Sequence, residues 1–349
     1  MNTLEPLRRV MADGINLMCP DGQRRLCFPV LAQYIADYEE QHVLASILNG
    51  YCPKCTVPRY RKPRGEGDLH SNVQEENWRA FGFPGSLPKT KWTGRRQVFT
   101  PQAAHTSCTD FEAKRLRSLY RNEPAILRKF GYHVTKPFTE RHIHSDIYSV
   151  LTPDLLHQAS KCFYDYVHKW ILDILAALPN SSITKAKGEM DARFSHLPPY
   201  PGLRMFRAGI SVMSRWTGNE YKYMIQVYLG IIKGIVPNYV VHLVKTYLDC
   251  HRLAHYVSHT VDTLDMLDSA IHEFWETLHD PMGTFSQQKI VPKYWLCPKL
   301  HYFQHYREWV LQNGALPFCS TDRTETWHKP LKAAFQASRK GPQVEQFIL

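Results

Sequence analysis

Hydrophobic and polar positions follow two rhythms along this chain, and the change falls near residue 154. Towards the N-terminus, Ile15-Asn16-Leu17-Met18-Cys19 and the stretch from Leu26 to Ile35 are apolar or β-branched runs on either side of Pro20-Asp21-Gly22. Two such runs around a proline and glycine turn predict a β-hairpin. A helix is expected next: Asp37-Tyr38-Glu39-Glu40 supplies an acidic first turn, Val43, Leu44, Ile47 and Leu48 recur at helical spacing, and Asn49-Gly50 ends it.

From Cys52 to about Phe99 the apolar periodicity disappears. Pro, Gly, Lys and Arg become frequent, with Trp78, Phe81, Phe83 and Trp92 interspersed, which reads as an insertion or small satellite module. Helical spacing returns from Asp110 to Phe130, and His142 to Val150 reads as a strand ending at Thr152-Pro153.

Beyond that point the period is helical. Leu155, Leu156, Ala159, Phe163, Val167, Trp170, Ile171, Ile174, Leu175 and Leu178 define one long amphipathic helix over 154–178. Further amphipathic segments run at about 218–234, 238–258, 262–279 and 300–313, separated by Pro237, by Asp262 as an N-cap and by Asp280-Pro281. The fold class expected is α/β followed by mainly α, divided as 1–50 (hairpin plus helix), 51–109 (basic, Cys-containing insertion) and 110–349 (the rest, largely helical).

With 349 residues, 44% of them hydrophobic, the chain can bury one large core or two ordinary ones. Lys and Arg total 43 against 32 Asp and Glu, a formal charge of +11 that favours a polyanionic partner, nucleic acid or an anionic membrane surface. The nine cysteines are odd in number and scattered, with one CxxC at Cys52 and Cys55, which argues against a secreted disulfide framework and for a reducing compartment. The most apolar stretch, Tyr221 to Val244, is interrupted by Lys222, Lys233 and Pro237, so the chain reads as soluble, with no membrane partner. Arg59-Tyr60-Arg61-Lys62-Pro63-Arg64 comes nearest to a nuclear-localisation run.

Several constellations carry candidate chemistry. Asp154 and His157 stand three residues apart at the start of the long helix, on one face. A carboxylate just after a strand is where a hard divalent ion finds an oxygen ligand, and the plainer alternative is that Asp154 caps the helix. Glu325 opens another helix near His328 and Lys332, as a metal ligand or as an ordinary first-turn acid. Cys52-Pro53-Lys54-Cys55 is half of a zinc site, and His70, His105 and Cys108 are candidates for the other half. His301 and His305 are spaced i, i+4 and can bind a transition metal, but no third ligand accompanies them in sequence, so they read as structural. Trp216 to Lys222 reads as a capped helix start, with Arg215 and Lys222 open to a nucleic-acid contact.

Eight strings, in order, resemble the Plavaka transposases of basidiomycete genomes, which are related to the CACTA elements. They are Cys19-Pro20-Asp21-Gly22 through Phe28-Pro29; Ala36-Asp37-Tyr38-Glu39-Glu40-Gln41; the Cys52 to Cys55 knuckle; Leu151 to Gln158; Asp191-Ala192-Arg193-Phe194; Trp216 to Glu220; Pro298-Lys299-Leu300-His301 with His305-Tyr306; and Ser320-Thr321-Asp322 with Glu325 and His328. The resemblance implies an RNase H-like fold with a DDE triad that cuts and joins DNA with two Mg²⁺ or Mn²⁺ ions. It implies catalytic roles for Asp154, His157 and Glu325, with Asp37 as an early acid; zinc on Cys52, Cys55, His105 and Cys108 is the expectation from the CxxC pair itself. DNA carrying the element's terminal repeats is the partner it implies, a homo-oligomer is compatible with it, and the nucleus is the location.

Family members carry the first catalytic Asp on a strand well upstream of the hairpin, and about eighteen residues precede the hairpin here. The expectation is therefore a partial RNase H-like core, shortened at the N-terminus, with degenerate catalysis. A non-catalytic zinc-containing DNA-binding protein and an inert transposon remnant are the other readings.

Overall fold

In the computed structural model, residues 5–55, 110–142, 144–178, 182–279 and 298–337 are described. The molecule divides into two compact units, the first made of residues 1–152 and 278–305 and the second of 153–277 and 306–349.

The first unit opens with helix α1 (Glu5–Asp13) and the expected hairpin, β1 (Ile15–Met18) and β2 (Arg24–Cys27). The strands are antiparallel, with Ile15 opposite Cys27 and Met18 opposite Arg24. Asp21 sets the turn by accepting from the Gln23 amide at 3.1 Å and from Arg25 Nη1 at 2.8 Å. Among the described residues this hairpin is the only sheet, and the fold is otherwise mostly helical. No larger sheet of an RNase H-like core is present among them.

Helix α2 (Tyr38–Ala45) starts where the sequence places it. The Asp37 carboxylate accepts from the Glu40 amide at 2.8 Å, satisfying one of the amides that a helix start leaves unpaired. The expected single helix from Asp110 to Phe130 is two helices, α3 (Asp110–Leu119) and α4 (Pro124–Lys129). Pro124 stands at the first position of the second, where its missing N–H costs nothing.

The strand expected over 142–150 does not form. The Asp146 carboxylate accepts from the Tyr148 amide at 2.8 Å and caps a turn of helix instead, α5 (Ile147–Val150). Extended pairing is confined to the next residues, where Tyr34 and Leu151 form a parallel bridge. The core of this unit joins Ala45, Ile47, Ala113, Leu116, Leu127, Tyr132, Ile147, Tyr148, Val150 and Leu151. Buried Arg117 crosses it, donating to the Ala45 carbonyl at 3.3 Å and the Tyr148 hydroxyl at 3.2 Å while lying over the Tyr132 ring.

The second unit begins with the expected long helix, α6, continuous over 155–177. Its first half contains two π-helical turns, Leu156–Ser160 and Phe163–His168, before regular α-helix takes over at Lys169–Ala177. Helices α7 (Ile183–Ser195), α8 (Gly218–Ile232), α9 (Asn238–Ala254) and α10 (Val261–His279) follow, each close to an amphipathic segment of the sequence apart from α7. Helix α11 (Pro298–His301) returns to the first unit, and α12 (Tyr306–Asn313) and α13 (Asp322–Ala337) complete the second.

Aromatic rings fill the second core. Phe163 meets Tyr228 edge-on at 4.9 Å, and Tyr247 meets Phe274 edge-on at 5.4 Å, the geometry that ring quadrupoles favour. The Tyr247 hydroxyl donates to the Ala159 carbonyl at 2.7 Å, so the π-helical stretch keeps this buried oxygen paired. The Asp191 to Phe194 string is structural here. Asp191 accepts from the Ile210 and Ser211 amides at 2.7 and 3.0 Å, Arg193 donates to the last carbonyls of α8, and Phe194 is buried.

Candidate metal centre and polar cluster

Two groups of polar residues stand out, one in each unit. In the first unit the CxxC turn that follows α2 folds against α11 and the 3₁₀ turn Tyr302–His305. Cys52 Sγ lies 3.4 Å from His305 Nε2, Cys55 Sγ lies 3.1 Å from His301 Nε2, and the two imidazole Nε2 atoms are 3.1 Å apart. All four ligand atoms fall within 4.8 Å of one another, with Cys52, Cys55 and His301 buried.

A tetrahedral ion with Zn–S near 2.3 Å and Zn–N near 2.05 Å places S···N at about 3.6 Å and N···N at about 3.3 Å. The observed edges are a few tenths of an ångström shorter, so four soft or borderline donors surround a gap of ionic size. The residues therefore fit a metal such as zinc, as a closed four-ligand centre.

The scaffold around these donors is well braced. The Lys54 amide donates to Cys52 Sγ at 3.3 Å, and Lys54 Nζ donates to the Tyr148 carbonyl at 2.7 Å. His42 bridges the Tyr38 and Tyr51 carbonyls at 2.6 and 2.8 Å, fixing the residue just before Cys52 to α2. Gln41, fully buried, receives the Tyr302 hydroxyl at 3.1 Å and donates to the Ala36 and Thr152 carbonyls. Burial pushes the Cys52 thiol up, but Cys55 and the imidazoles of His305 and His301 outweigh it and hold the thiol well below its usual range.

By sequence, with no third ligand near them, His301 and His305 are expected to be structural. The fold supplies the other two ligands from 246 and 253 residues away. The spacing of the pair was the available signal. His70, His105 and Cys108, the ligands considered earlier, lie outside the described residues.

In the second unit, the starts of α6 and α13 meet. Asp154, fully buried, accepts from the Leu156 amide at 3.1 Å and the His157 amide at 3.3 Å on its own helix. From the start of α13 it accepts the Thr321 amide at 3.1 Å and the Thr321 hydroxyl at 2.8 Å, and the Ser320 hydroxyl stands 3.4 Å away. His157 Nδ1 is 2.6 Å from Asp154 Oδ2, and His157 Nε2 is 3.3 Å from Glu325 Oε1. Burial pushes the Asp154 carboxyl up, but hydrogen bonds from His157 and Thr321 outweigh it and hold the group below its usual range.

Three of the four acid and base residues singled out in the sequence, Asp154, His157 and Glu325, are therefore brought together. Asp37 belongs to the first unit, where its carboxylate caps α2. The side chain of His328 is not described, whereas Lys332 is exposed further along α13. Lys222, open to a nucleic-acid contact in the sequence reading, donates to Asp322 Oδ2 at 2.9 Å, and Asp322 also receives Ser320 at 2.9 Å. The helix start at Thr217 carries the expected capping box, with Glu220 accepting from the Thr217 amide at 2.6 Å.

Residues 1–171 match a family model described as Plavaka transposase. The match covers a little under half of the sequence. No curated protein matches it. Among the described residues no helix is long and apolar enough to cross a membrane.

Proposed function

We propose that the chain is a transposase-derived DNA-binding protein, held together by a structural zinc ion in its first unit. The match of residues 1–171 to the Plavaka transposase model, with a Cys₂His₂ group in the first unit, is the observation that carries the reading. Asp154, which caps α6, His157 in its first turn and Glu325 in α13 converge in the second unit, an arrangement that would meet a phosphodiester through a bound cation. A charge of +11 supplies the long-range attraction to a polyanion.

Strand cleavage of the DDE type, on an RNase H-like core, is the finer reading. It requires at least three carboxylates around two divalent ions, and among the described residues the cluster offers Glu325 as its half-exposed carboxylate, with Asp154 enclosed. Binding without cleavage is thus favoured, with the Cys₂His₂ cluster supporting the zinc-containing alternative. The nucleus is the location this function implies.

The test is binding of the zinc-loaded full chain to duplex DNA across a salt series, followed by anisotropy, with nicking in Mg²⁺ or Mn²⁺ assayed on the same samples. Affinity should fall steeply with salt, the logarithmic slope giving about 0.9 per phosphate neutralised. Absence of salt-sensitive binding would overturn the reading. Nicking abolished by Glu325→Gln would instead establish the catalytic version.

A further inference from the structure

We infer that Asp154 is a positioning residue and not a metal ligand: its carboxylate ties the starts of α6 and α13 together and aims His157 at Glu325. This deepens the reading of the polar cluster proposed above, and it assigns the enclosed acid a task that a divalent-ion site does not provide.

The argument is one of occupancy. A carboxylate has about four lone-pair positions. Here Oδ1 receives the Leu156 amide, the Thr321 amide and the Thr321 hydroxyl, while Oδ2 receives the His157 amide and His157 Nδ1. The Ser320 hydroxyl, whose hydrogen goes to Asp322 at 2.9 Å, stands 3.4 Å from Oδ1. Five donors already converge on two oxygens. A Mg²⁺ ion binds carboxylate oxygen at about 2.0–2.1 Å and keeps several waters, so it needs an open oxygen and room beside it. Asp154 is 0% exposed, and an ion there would displace the largely buried donors of Leu156 and Thr321. The group does not fit the hard cation that a DDE site requires.

The same five donors explain what Asp154 does. Its hydrogen bonds to Leu156 and His157 cap α6, and those to Thr321 hold the start of α13, so one charge serves the positive ends of two helices. The bond to His157 Nδ1 at 2.6 Å leaves Nε2 as the ring's outward atom, facing Glu325. A carboxylate oxygen stands at each ring nitrogen. Glu325 is 44% exposed on its side chain and is the member of the cluster that can meet an ion or a phosphate. Gly218, the first residue of α8, lies close against Leu156 and Asp322, which packs a third helix start beside this arrangement.

The two roles predict opposite behaviour in the metal-free state. Apart from the zinc centre, the full chain is melted without added divalent ion as wild type, Asp154→Asn, Thr321→Val and Glu325→Gln, and Mn²⁺ binding is followed by electron paramagnetic resonance. For a positioning residue, Asp154→Asn lowers Tm by roughly 10 °C, Thr321→Val by roughly 3 °C, and Glu325→Gln leaves it unchanged. The His157 Nδ1 proton resonance, visible in wild type and in Glu325→Gln, disappears in Asp154→Asn.

A Tm for Asp154→Asn and Thr321→Val equal to or above wild type, with Mn²⁺ affinity falling about tenfold in Asp154→Asn, would mark Asp154 as a ligand and overturn the inference. Should Asp154→Asn not fold, Thr321→Val and the wild-type resonance decide alone, since a metal ligand has no need of the Thr321 hydroxyl. None of these readings uses DNA, so failure to bind DNA would sink the functional proposal and leave this one standing.

Discussion

Removing the metal from the Cys₂His₂ centre should cost the first unit most of its stability. The centre joins Cys55 to His301 across 246 residues and Cys52 to His305 across 253. Treated as a cross-link that closes a loop of that length, the entropy taken from the unfolded chain amounts to about 5.5 kcal/mol at 25 °C. That is a large part of the ~5–15 kcal/mol that keeps an ordinary domain folded. The ligand bonds themselves add to it, because binding free energy becomes folding free energy when the site does not exist in the unfolded state.

The assay is metal content together with thermal melting, on wild type, Cys55→Ser, His301→Ala and His105→Ala. Wild type should purify with one zinc per chain. Cys55→Ser and His301→Ala should lose zinc and the melting transition of the first unit, and chelator should do the same to wild type. His105→Ala should retain both, because the four donors above complete a tetrahedron without it. Full zinc occupancy in His301→Ala together with loss in His105→Ala would refute the ligand set and return the centre to the insertion.

Further outcomes are expected elsewhere. Burial, with Lys187 and Lys169 nearby, lowers His168 to about 4, and its Nδ1 meets the Tyr228 hydroxyl at 2.5 Å. Because the unfolded chain takes up this proton near pH 6.5 and the folded chain does not, stability should fall between pH 6.5 and 4, by up to about 3 kcal/mol, and level off below. Denaturant melts of wild type and a His168→Phe, Tyr228→Phe double variant would show the slope flattened in the variant. Gly209 has φ +77°, and a Cβ there would stand 2.3 Å from Asp191, so Gly209→Ala should destabilise by about 2 kcal/mol or more in the same melts. Arg117→Met should destabilise the first unit by about 2–3 kcal/mol, because the Ala45 carbonyl and the Tyr148 hydroxyl lose a charged donor; an unchanged midpoint would show that packing alone holds α3 to α2.

Local signals in the sequence were legible wherever one residue decides the outcome. Pro20-Asp21-Gly22 marked the hairpin, Asp37 the start of α2, and Thr217 with Glu220 the start of α8, each through contacts spanning only a few residues. The stretch from His142 to Val150 misled for the same reason in reverse. Its β-branched residues suit a strand, but the Asp146 side chain offers the backbone a cap, and the local bond prevails.

Long-range pairing was not legible. Cys52 and Cys55 announced half a metal site and His301 and His305 the other half, yet nothing in either string specifies its partner. Asp154 was readable both as a helix cap and as a ligand. Only the approach of Thr321, 167 residues on, fills its remaining oxygen positions. Asp191 and Arg193 carry no sequence sign that one ties down a loop and the other the end of α8.

The metal centre also imposes an order of events on synthesis. A growing chain exposes Cys52 and Cys55 first, and His301 follows 246 residues later, about 12–50 s at ordinary elongation rates. During that interval neither His301 nor His305 has been made, while residues 153–277 of the second unit emerge and can begin to fold. Zinc capture is then among the last steps to complete the first unit, although half of its ligands are among the earliest residues made.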